Sequence, residues 1–338
     1  MMIDRVDGAD TGEPTERQAD GEHVPADVPG SEGPLSRAGS RIGAIAANGE
    51  NERPEPVRPE TVDEKKGPDD RLPPPYAKLL DTPIADNQPT LREVLCRFAP
   101  AEAGLPEVTE REAADYIAQN SRERPWLACL KECDPAVQRI LVALDQGQGH
   151  ALERHEGYAD DDRLQRRVTA LEDPAQLDPI KREAGIDGCK PGERDHRCGA
   201  VATAIQDPVA FATAVARGIE HPDVQNALRT PYVNGVHPDK VRIPIEDLLG
   251  VDGHKYCSGY VLERVGGSLS AAQDCRSAWV DAKSDPDREP DAPPPRCAPV
   301  ADFAGATIEF FFRATRAKDG YEISTTYVEP PDSALRGG

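Results

Sequence analysis

The sequence predicts an α+β protein in which helices precede strands, and three observations support this fold class. Residues 1–75 are rich in Pro, Glu, Asp, Gly and Ala without an apolar period, which predicts a disordered leader. Residues 76–147 contain repeated helix-start signals and are expected to form a helical connector. Two β-rich runs surround Asp319-Gly320, so the segment 149–330 is expected to add a sheet to its helices, ahead of a disordered tail at 331–338.

The helical connector carries two clear start signals. Thr109 and Glu112 have the spacing of a capping box, in which each side chain accepts a hydrogen bond from the backbone N–H of the other residue. Asp134 precedes Pro135, a pair that favours an N-cap followed by the first helical residue. The apolar residues after Pro135 recur at helical spacing, so this helix is expected to bury one face.

The next segment brings two imidazoles and several guanidiniums together. His150 and His155 are five residues apart, a rotation of about 140° on one continuous helix, so they would point to different sides. Gly157 is a typical helix stop, and residues 160–162 are aspartates that can cap a second helix. That second helix carries three arginines: Arg163, Arg166 and Arg167. Two short helices meeting at Gly157 would bring His155 close to one of these arginines.

Helix and strand signals fill the rest of the chain. Asp207-Pro208 predicts a helix that Gly218 ends. The runs 307–313 and 321–328 around Asp319-Gly320 predict a β-hairpin. Because side chains alternate along a strand, one face of the second run is expected to hold Tyr321, Ile323, Thr325 and Tyr327. Thr and Tyr are ordinary strand residues, so the strand alone predicts no function.

The charge of the chain limits its function classes. With 61 Asp and Glu against 40 Lys and Arg, the formal net charge is −21. Such a protein gains nothing from the sequence-independent attraction to phosphate backbones, which argues against a nucleic-acid scaffold but not against a nuclease with a local cationic pocket. No apolar run approaches the roughly 20 residues that cross a bilayer. The residues after Met1 lack the features of a classical signal peptide, so delivery by another route is expected.

The polar residues suit chemistry on a phosphodiester. A histidine titrates near neutral pH and can transfer protons, an arginine is a permanent forked cation, and hydroxyls can donate to developing charge. Neither a metal nor another cofactor is expected, because zinc-binding helices place two histidines four residues apart, whereas His150 and His155 are five apart. Each residue also has a structural interpretation: single histidines are often hydrogen-bonded structural groups, and helix arginines often pair with nearby acids.

Two other function classes remain open. A non-enzymatic acidic secreted binding module would use its leader and connector to recruit partners, and would need no special role for its histidines. An ADP-ribosyltransferase would use Glu329 after the Ser-Thr-Thr run, but only nine residues follow that glutamate, which argues against this class.

Three motifs together resemble one family. They are Gly149-His150-(x4)-His155-x-Gly157, then Leu164-Gln165-Arg166, and finally Thr325-x-Tyr327 on the last strand. Their order is similar to that of the bacterial RNase A-like toxin domain at the C-terminus of contact-dependent growth inhibition effectors. The resemblance covers residues 149–330. The chain departs from the family by additional sequence near 174–199 and 268–299.

The resemblance implies an RNase A-like fold, with N-terminal helices packed on a twisted antiparallel sheet. It implies a metal-independent RNA endonuclease that forms a 2′,3′-cyclic phosphate, with tRNA as a candidate substrate. The catalytic residues implied are His155, Arg166, Thr325 and Tyr327, and the supporting residues are His150, Arg167 and Arg163. Such a toxin is secreted or delivered into the cytoplasm of target cells, engages secretion machinery through its N-terminal region, and is bound by a cognate immunity protein.

Overall fold

A computed structural model describes residues 76–83, 85–147, 149–156, 159–177, 198–285 and 287–335. All of them belong to one compact unit that spans Lys66–Gly338. The leader predicted at 1–75 lies outside the described residues. Of the tail predicted at 331–338, residues 331–335 are described, and Ala334 and Leu335 pack against the core.

The described residues form a mixed α+β protein, as the sequence predicts. The α-helices, numbered in chain order, are α1 Leu91–Arg97, α2 Glu110–Asn120, α3 Pro125–Ala128, α4 Pro135–Gln146, α5 Ala151–His155, α6 Asp161–Ala170, α7 Pro208–Glu220, α8 Pro222–Arg229, α9 Ile245–Leu249 and α10 Leu269–Ser284. Short 3₁₀ helices are Tyr76–Leu79, Pro100–Ala103, Pro174–Leu177 and Gly253–Tyr256. The strands are β1 Val201–Ile205, β2 Val241–Pro244, β3 Cys257–Leu262, β4 Cys297–Pro299, β5 Thr307–Ala314 and β6 Tyr321–Glu329.

Side-chain caps start the helices where the sequence predicts them. Thr109 and Glu112 make the complete capping box of α2. The carboxylates of Asp134, Asp160 and Asp207 each accept a hydrogen bond from a backbone N–H in the first turn of α4, α6 and α7. These bonds satisfy donors that a helix N-terminus otherwise leaves unpaired. The predicted helix stop at Gly157 lies outside the described residues, although α5 ends at His155.

One predicted helix end is wrong. The helix that begins after Asp207 continues through Gly218 to Glu220. A Cβ atom at Gly218 would lie 2.0 Å from the ring of Phe310 on β5. The glycine is therefore needed because the helix packs closely on the sheet, and it does not mark the end of α7.

The strands form two antiparallel three-stranded sheets. Their strand orders are β1-β3-β4 and β2-β5-β6. The two sheets approach each other where the Thr203 hydroxyl of β1 donates a 2.6 Å hydrogen bond to the Val328 carbonyl of β6. Helix α6 covers the first sheet with Leu164 and Val168. Helix α7, buried along most of its length, contacts β1 of the first sheet and packs against Phe310 of the second through Gly218.

One hydrophobic core joins the early helices to the second sheet. It includes Leu95 of α1, Ile140 of α4, Phe211 of α7 and Phe310 of β5, all fully buried. The core therefore contains apolar side chains from both sides of residue 148. Helix α4 contacts α5, whose Ala151 and Leu152 belong to the same core, so the core holds the start of the histidine segment.

The predicted hairpin of β5 and β6 forms, with one irregularity in β6. Phe311 pairs with Thr325, whereas the next residue, Phe312, pairs with Ile323. Ser324 therefore has no opposite residue on β5 and forms a β-bulge. An extra residue in one strand reverses the alternation of side chains beyond it.

The bulge divides the side chains of β6 between two faces. Tyr321 and Ile323, before the bulge, belong to the hydrophobic core, as does Val328 beyond it. Thr325 and Tyr327 consequently lie on the other face. The prediction that Tyr321, Ile323, Thr325 and Tyr327 share one face is wrong, because it assumes an uninterrupted strand.

Candidate active site

A cavity of about 480 Å³ lies between α5, α6, the start of β1 and the non-core face of β6. It unites residues that are far apart in sequence, because α5 contacts both β6 of the second sheet and β1 of the first. Its lining residues are His150, Arg154, His155, Arg167, Cys198, Gly199, Ala200, Val201, Thr203, Phe311, Thr325, Tyr327, Val328 and Glu329.

Gly149 allows the histidine segment to approach β6 this closely. A Cβ atom at Gly149 would lie 1.8 Å from the carbonyl oxygen of Ser324. The same carbonyl accepts a 3.3 Å hydrogen bond from the backbone N–H of His150. The bulge of β6 thus provides the acceptor that holds the beginning of the segment over Thr325 and Tyr327.

The ring of His155 is buried and oriented by a backbone carbonyl. Its Nδ1 lies 3.1 Å from the carbonyl oxygen of Thr203. Because a carbonyl oxygen only accepts hydrogen bonds, Nδ1 carries the proton and Nε2 presents a lone pair. Burial lowers the pKa of His155 well below 6.5, and the nearby charges of Arg167 and His150 act in the same direction. His155 is therefore a neutral imidazole with one available acceptor nitrogen.

Two other rings of the site, those of Tyr327 and His150, lie next to His155. The centroid of the Tyr327 ring is 5.1 Å from that of His155, with 26° between the planes. The centroid of the His150 ring is 5.9 Å from that of His155. The prediction that the two histidines point to different sides applies to one continuous helix. His150 instead precedes α5 as its N-cap residue, so its side chain does not follow the helical rotation.

Of the arginines on α6, Arg167 lies at the cavity, whereas the sequence analysis favours Arg166. The Arg167 side chain is buried at the cavity, and its Nη1 donates a 2.9 Å hydrogen bond to the carbonyl of Arg154. Consecutive helical residues are rotated by about 100°, so only one of two neighbours can face the cavity. Arg167 shares the buried face of α6 with Leu164 and Val168, and Arg166 does not.

The remaining arginines of the segment are held by carboxylates. Arg166 is exposed and pairs with Asp162 outside the cavity. Arg163 is half-buried and pairs with Asp160, also outside the lining residues. The structure therefore does not bring these two arginines to His155, and of the three predicted arginines of α6 Arg167 is the one that lines the cavity.

Arg154 lines the cavity, although the sequence assigned it no role. Its guanidinium binds both carboxylate oxygens of Asp173, the Nε–Oδ1 distance being 2.6 Å. Asp173 is itself buried. This ion pair holds Arg154 in place, and the backbone carbonyl of Arg154 accepts the hydrogen bond from Arg167. The signal in the sequence was the position of Arg154 between the two histidines.

The two predicted hydroxyls of β6 lie in the site. Thr325 is buried, and its Oγ1 has no hydrogen-bond partner within the described part of the chain. Burial raises the pKa of Tyr327, as do the negative charge of Glu309 and the hydrogen bond to it. Tyr327 is therefore a protonated phenol at neutral pH, where His155 is a neutral imidazole.

Two carboxylates of the second sheet accompany these groups and were missed from the sequence. Glu329 lines the cavity, and burial followed by the charge of Glu309 raises its pKa. Glu309 is a fully buried residue of β5 and pairs with Tyr327 of β6. Its sequence signal is a single carboxylate between the apolar residues Ile308 and Phe310 of a strand.

The described residues contain no group of three or more His, Cys, Asp or Glu side chains placed to hold a metal ion. Within the same residues, no helix has the length and apolar character of a membrane span. The described residues thus form a mixed α+β protein with a cavity lined by imidazole, guanidinium, hydroxyl and carboxylate groups. No family model, curated protein or solved structure matches the chain.

Proposed function

We propose that this chain is an RNA endonuclease that uses the 2′-hydroxyl of its substrate as the nucleophile and requires no metal. The observation that carries the proposal is the convergence of His155, Tyr327 and Arg167 on one cavity. A neutral imidazole, a protonated phenol and a permanent cation are the three groups that this reaction needs.

The roles follow from the protonation states. His155 Nε2 takes the proton of the 2′-hydroxyl, and the O2′–phosphorus bond forms. The bond from phosphorus to O5′ breaks, and Tyr327 supplies the proton to the departing oxygen. The products are a 2′,3′-cyclic phosphate and a 5′-hydroxyl, and solvent then takes the proton from His155 and returns one to Tyr327.

Charge builds on the non-bridging oxygens during this step. Arg167 is placed to balance it, and Arg154 adds a second guanidinium at the cavity wall. The Thr325 hydroxyl has no other partner in the described residues and can donate to the same oxygens. Donors that are already oriented inside a site with little water act strongly, because they do not need to reorganise.

The proposed fold of residues 149–330 is RNase A-like, with α5 against the second antiparallel sheet, which supplies Thr325 and Tyr327, and α6 against the first. This fold and the resemblance of the motifs together support the proposal that the protein is a toxin delivered into the cytoplasm of target cells. A cognate immunity protein that covers the cavity is part of this proposal.

The test uses the full chain with total RNA and maps the ends of the products. We expect cleavage with 2′,3′-cyclic phosphate ends that persists in EDTA, and His155→Ala should lower the rate by roughly 10²–10⁴-fold, as expected for losing a general base. His237→Ala is the matched control, because His237 is exposed and does not line the cavity.

Full activity of a folded His155→Ala protein would contradict the assignment. Cleavage that requires a divalent cation would instead indicate a metal-dependent hydrolase. If the wild-type chain cuts no RNA, the non-enzymatic binding module becomes the better hypothesis.

A further inference from the structure

Glu309 is a fully buried carboxylate on the cavity side of the second sheet, although it does not line the cavity. It pairs directly with Arg242 on β2 and with Tyr327 on β6. Directly paired residues of antiparallel strands project their side chains to the same face. Arg242, Glu309 and Tyr327 therefore form a transverse row across three strands, and the ring of His155 stacks on its last member.

Two cations keep Glu309 ionised. Lys240 Nζ lies 2.9 Å and 2.7 Å from its two carboxylate oxygens, and Arg242 Nε lies 2.5 Å from one of them. Burial on its own would raise the pKa of Glu309, but hydrogen bonds from Lys240, Arg242 and Tyr327 outweigh burial and lower it. Glu309 is therefore an anion, and it accepts a hydrogen bond from the Tyr327 hydroxyl.

We propose that Glu309 is a positioning residue for Tyr327, holding its hydroxyl at the wall of the cavity and keeping it protonated. This inference rests on the proposed ribonuclease function. Glu309 acts only through Tyr327, since it has no exposed surface with which to touch a substrate. It sets the alkaline limit of the reaction, because a phenolate cannot protonate the leaving oxygen.

Other titratable or charged groups also face Tyr327, and they determine the controls. They are His155 of α5, Arg167 of α6, Arg242 of β2 and Glu329 of β6, with His150 and Arg154 further along the cavity. Glu329 lies on the same strand as Tyr327 and influences it by charge without a hydrogen bond. Glu329→Gln is therefore the matched control for Glu309→Gln, since both variants remove one negative charge near the phenol.

The experiment measures the ionisation of Tyr327 by tyrosinate absorbance, with the corresponding Tyr327→Phe protein subtracted because the chain has 8 tyrosines. In the wild-type protein Tyr327 should stay protonated above pH 10, its ordinary pKa. In Glu309→Gln the ionisation and the alkaline limit of RNA cleavage should both move down by about one pH unit or more, as expected for a contacting charge. Glu329→Gln should produce a smaller shift.

Glu309→Asp keeps the charge but shortens the side chain. It serves as the second variant if the Glu309→Gln protein does not fold. We expect a shift between those of wild type and Glu309→Gln, with circular dichroism at each pH confirming the fold. Unchanged Tyr327 ionisation in a folded Glu309 variant would overturn the inference. If the wild-type chain cleaves no RNA, the proposed function fails, whereas the absorbance titration still decides whether Glu309 controls Tyr327.

Discussion

Replacing Thr325 by valine separates the functional from the structural contribution of its hydroxyl. Thr325 is 6% exposed and lines the cavity, and Oγ1 has no hydrogen-bond partner within the described residues. Valine has nearly the same shape and is a good strand residue, so the backbone of β6 is retained. If the hydroxyl has a structural role, removing it should lower the stability of the protein. If its role is chemical, removing it should not lower the stability.

The magnitude follows from the cost of burying an unpaired polar group. That cost is about 1–3 kcal/mol, so Thr325→Val should raise the free energy of unfolding by about 1 kcal/mol or more. For a folded unit of this size, 1 kcal/mol corresponds to a rise in Tm of about 2–4 °C. The rate of RNA cleavage should fall by roughly 10²–10³-fold, as expected for the loss of one donor to developing charge.

The neighbouring Thr326 provides the control. It is fully buried, its Oγ1 also has no partner within the described residues, and it does not line the cavity. Thr326→Val should therefore stabilise the protein to a similar extent without changing the rate. Thermal unfolding and single-turnover cleavage are measured on both variants, which gives a stability and a cleavage rate for each. Wild-type activity of Thr325→Val, or an equal loss in Thr326→Val, would refute the placement of the Thr325 hydroxyl at the phosphate.

Three further predictions concern the helices and the glycine that shape the cavity. Arg167→Gln should reduce cleavage at least about 10²-fold, whereas Arg166→Gln should stay near the wild-type rate and change stability by less than about 1 kcal/mol, both measured with one RNA substrate. The cleavage rate should stay constant as pH falls to 6.5 and decline only below it, because the lowered pKa keeps folded His155 neutral. Unfolded chains bind that proton below about pH 6.5, so the free energy of unfolding should also decrease with further acidification, and a rate that already falls above pH 6.5 would contradict this. Gly149→Ala should destabilise the protein by about 2 kcal/mol or more, since its Cβ would overlap the carbonyl of the bulge, and Gly320→Ala, with open space around it, is the control in thermal unfolding.

The sequence predicts features that depend on neighbouring residues. The caps at Asp134, Asp160 and Asp207 satisfy N–H groups two or three residues away, so residue type and spacing are sufficient. The hairpin is similarly local, because a short loop joins its two strands. The sequence also identifies His155 and Tyr327, which the structure brings within 5.1 Å between ring centroids.

The features that the sequence does not predict depend on distant parts of the chain. The bulge at Ser324 becomes apparent only when β6 is paired with β5, and Gly218 resembles a helix stop until Phe310 is packed against it. Arg166 and Arg167 are adjacent in sequence, and only the packing of α6 on the first sheet selects which of them is buried. The partnership of Glu309 with Tyr327 requires the strand register as well.

Burial of Arg167, the cation of the proposed site, affects how the protein responds to ionic strength. The formal charge of the chain is −21, while Arg167 is enclosed at the cavity. Dissolved salt screens exposed charges within about 8 Å at physiological concentration, but it penetrates a desolvated pocket poorly. Added salt should therefore weaken the repulsion between RNA and the outer surface more than the attraction at the phosphate being cleaved. Most nucleic-acid-binding proteins lose affinity as salt increases, whereas this protein should capture its substrate more readily.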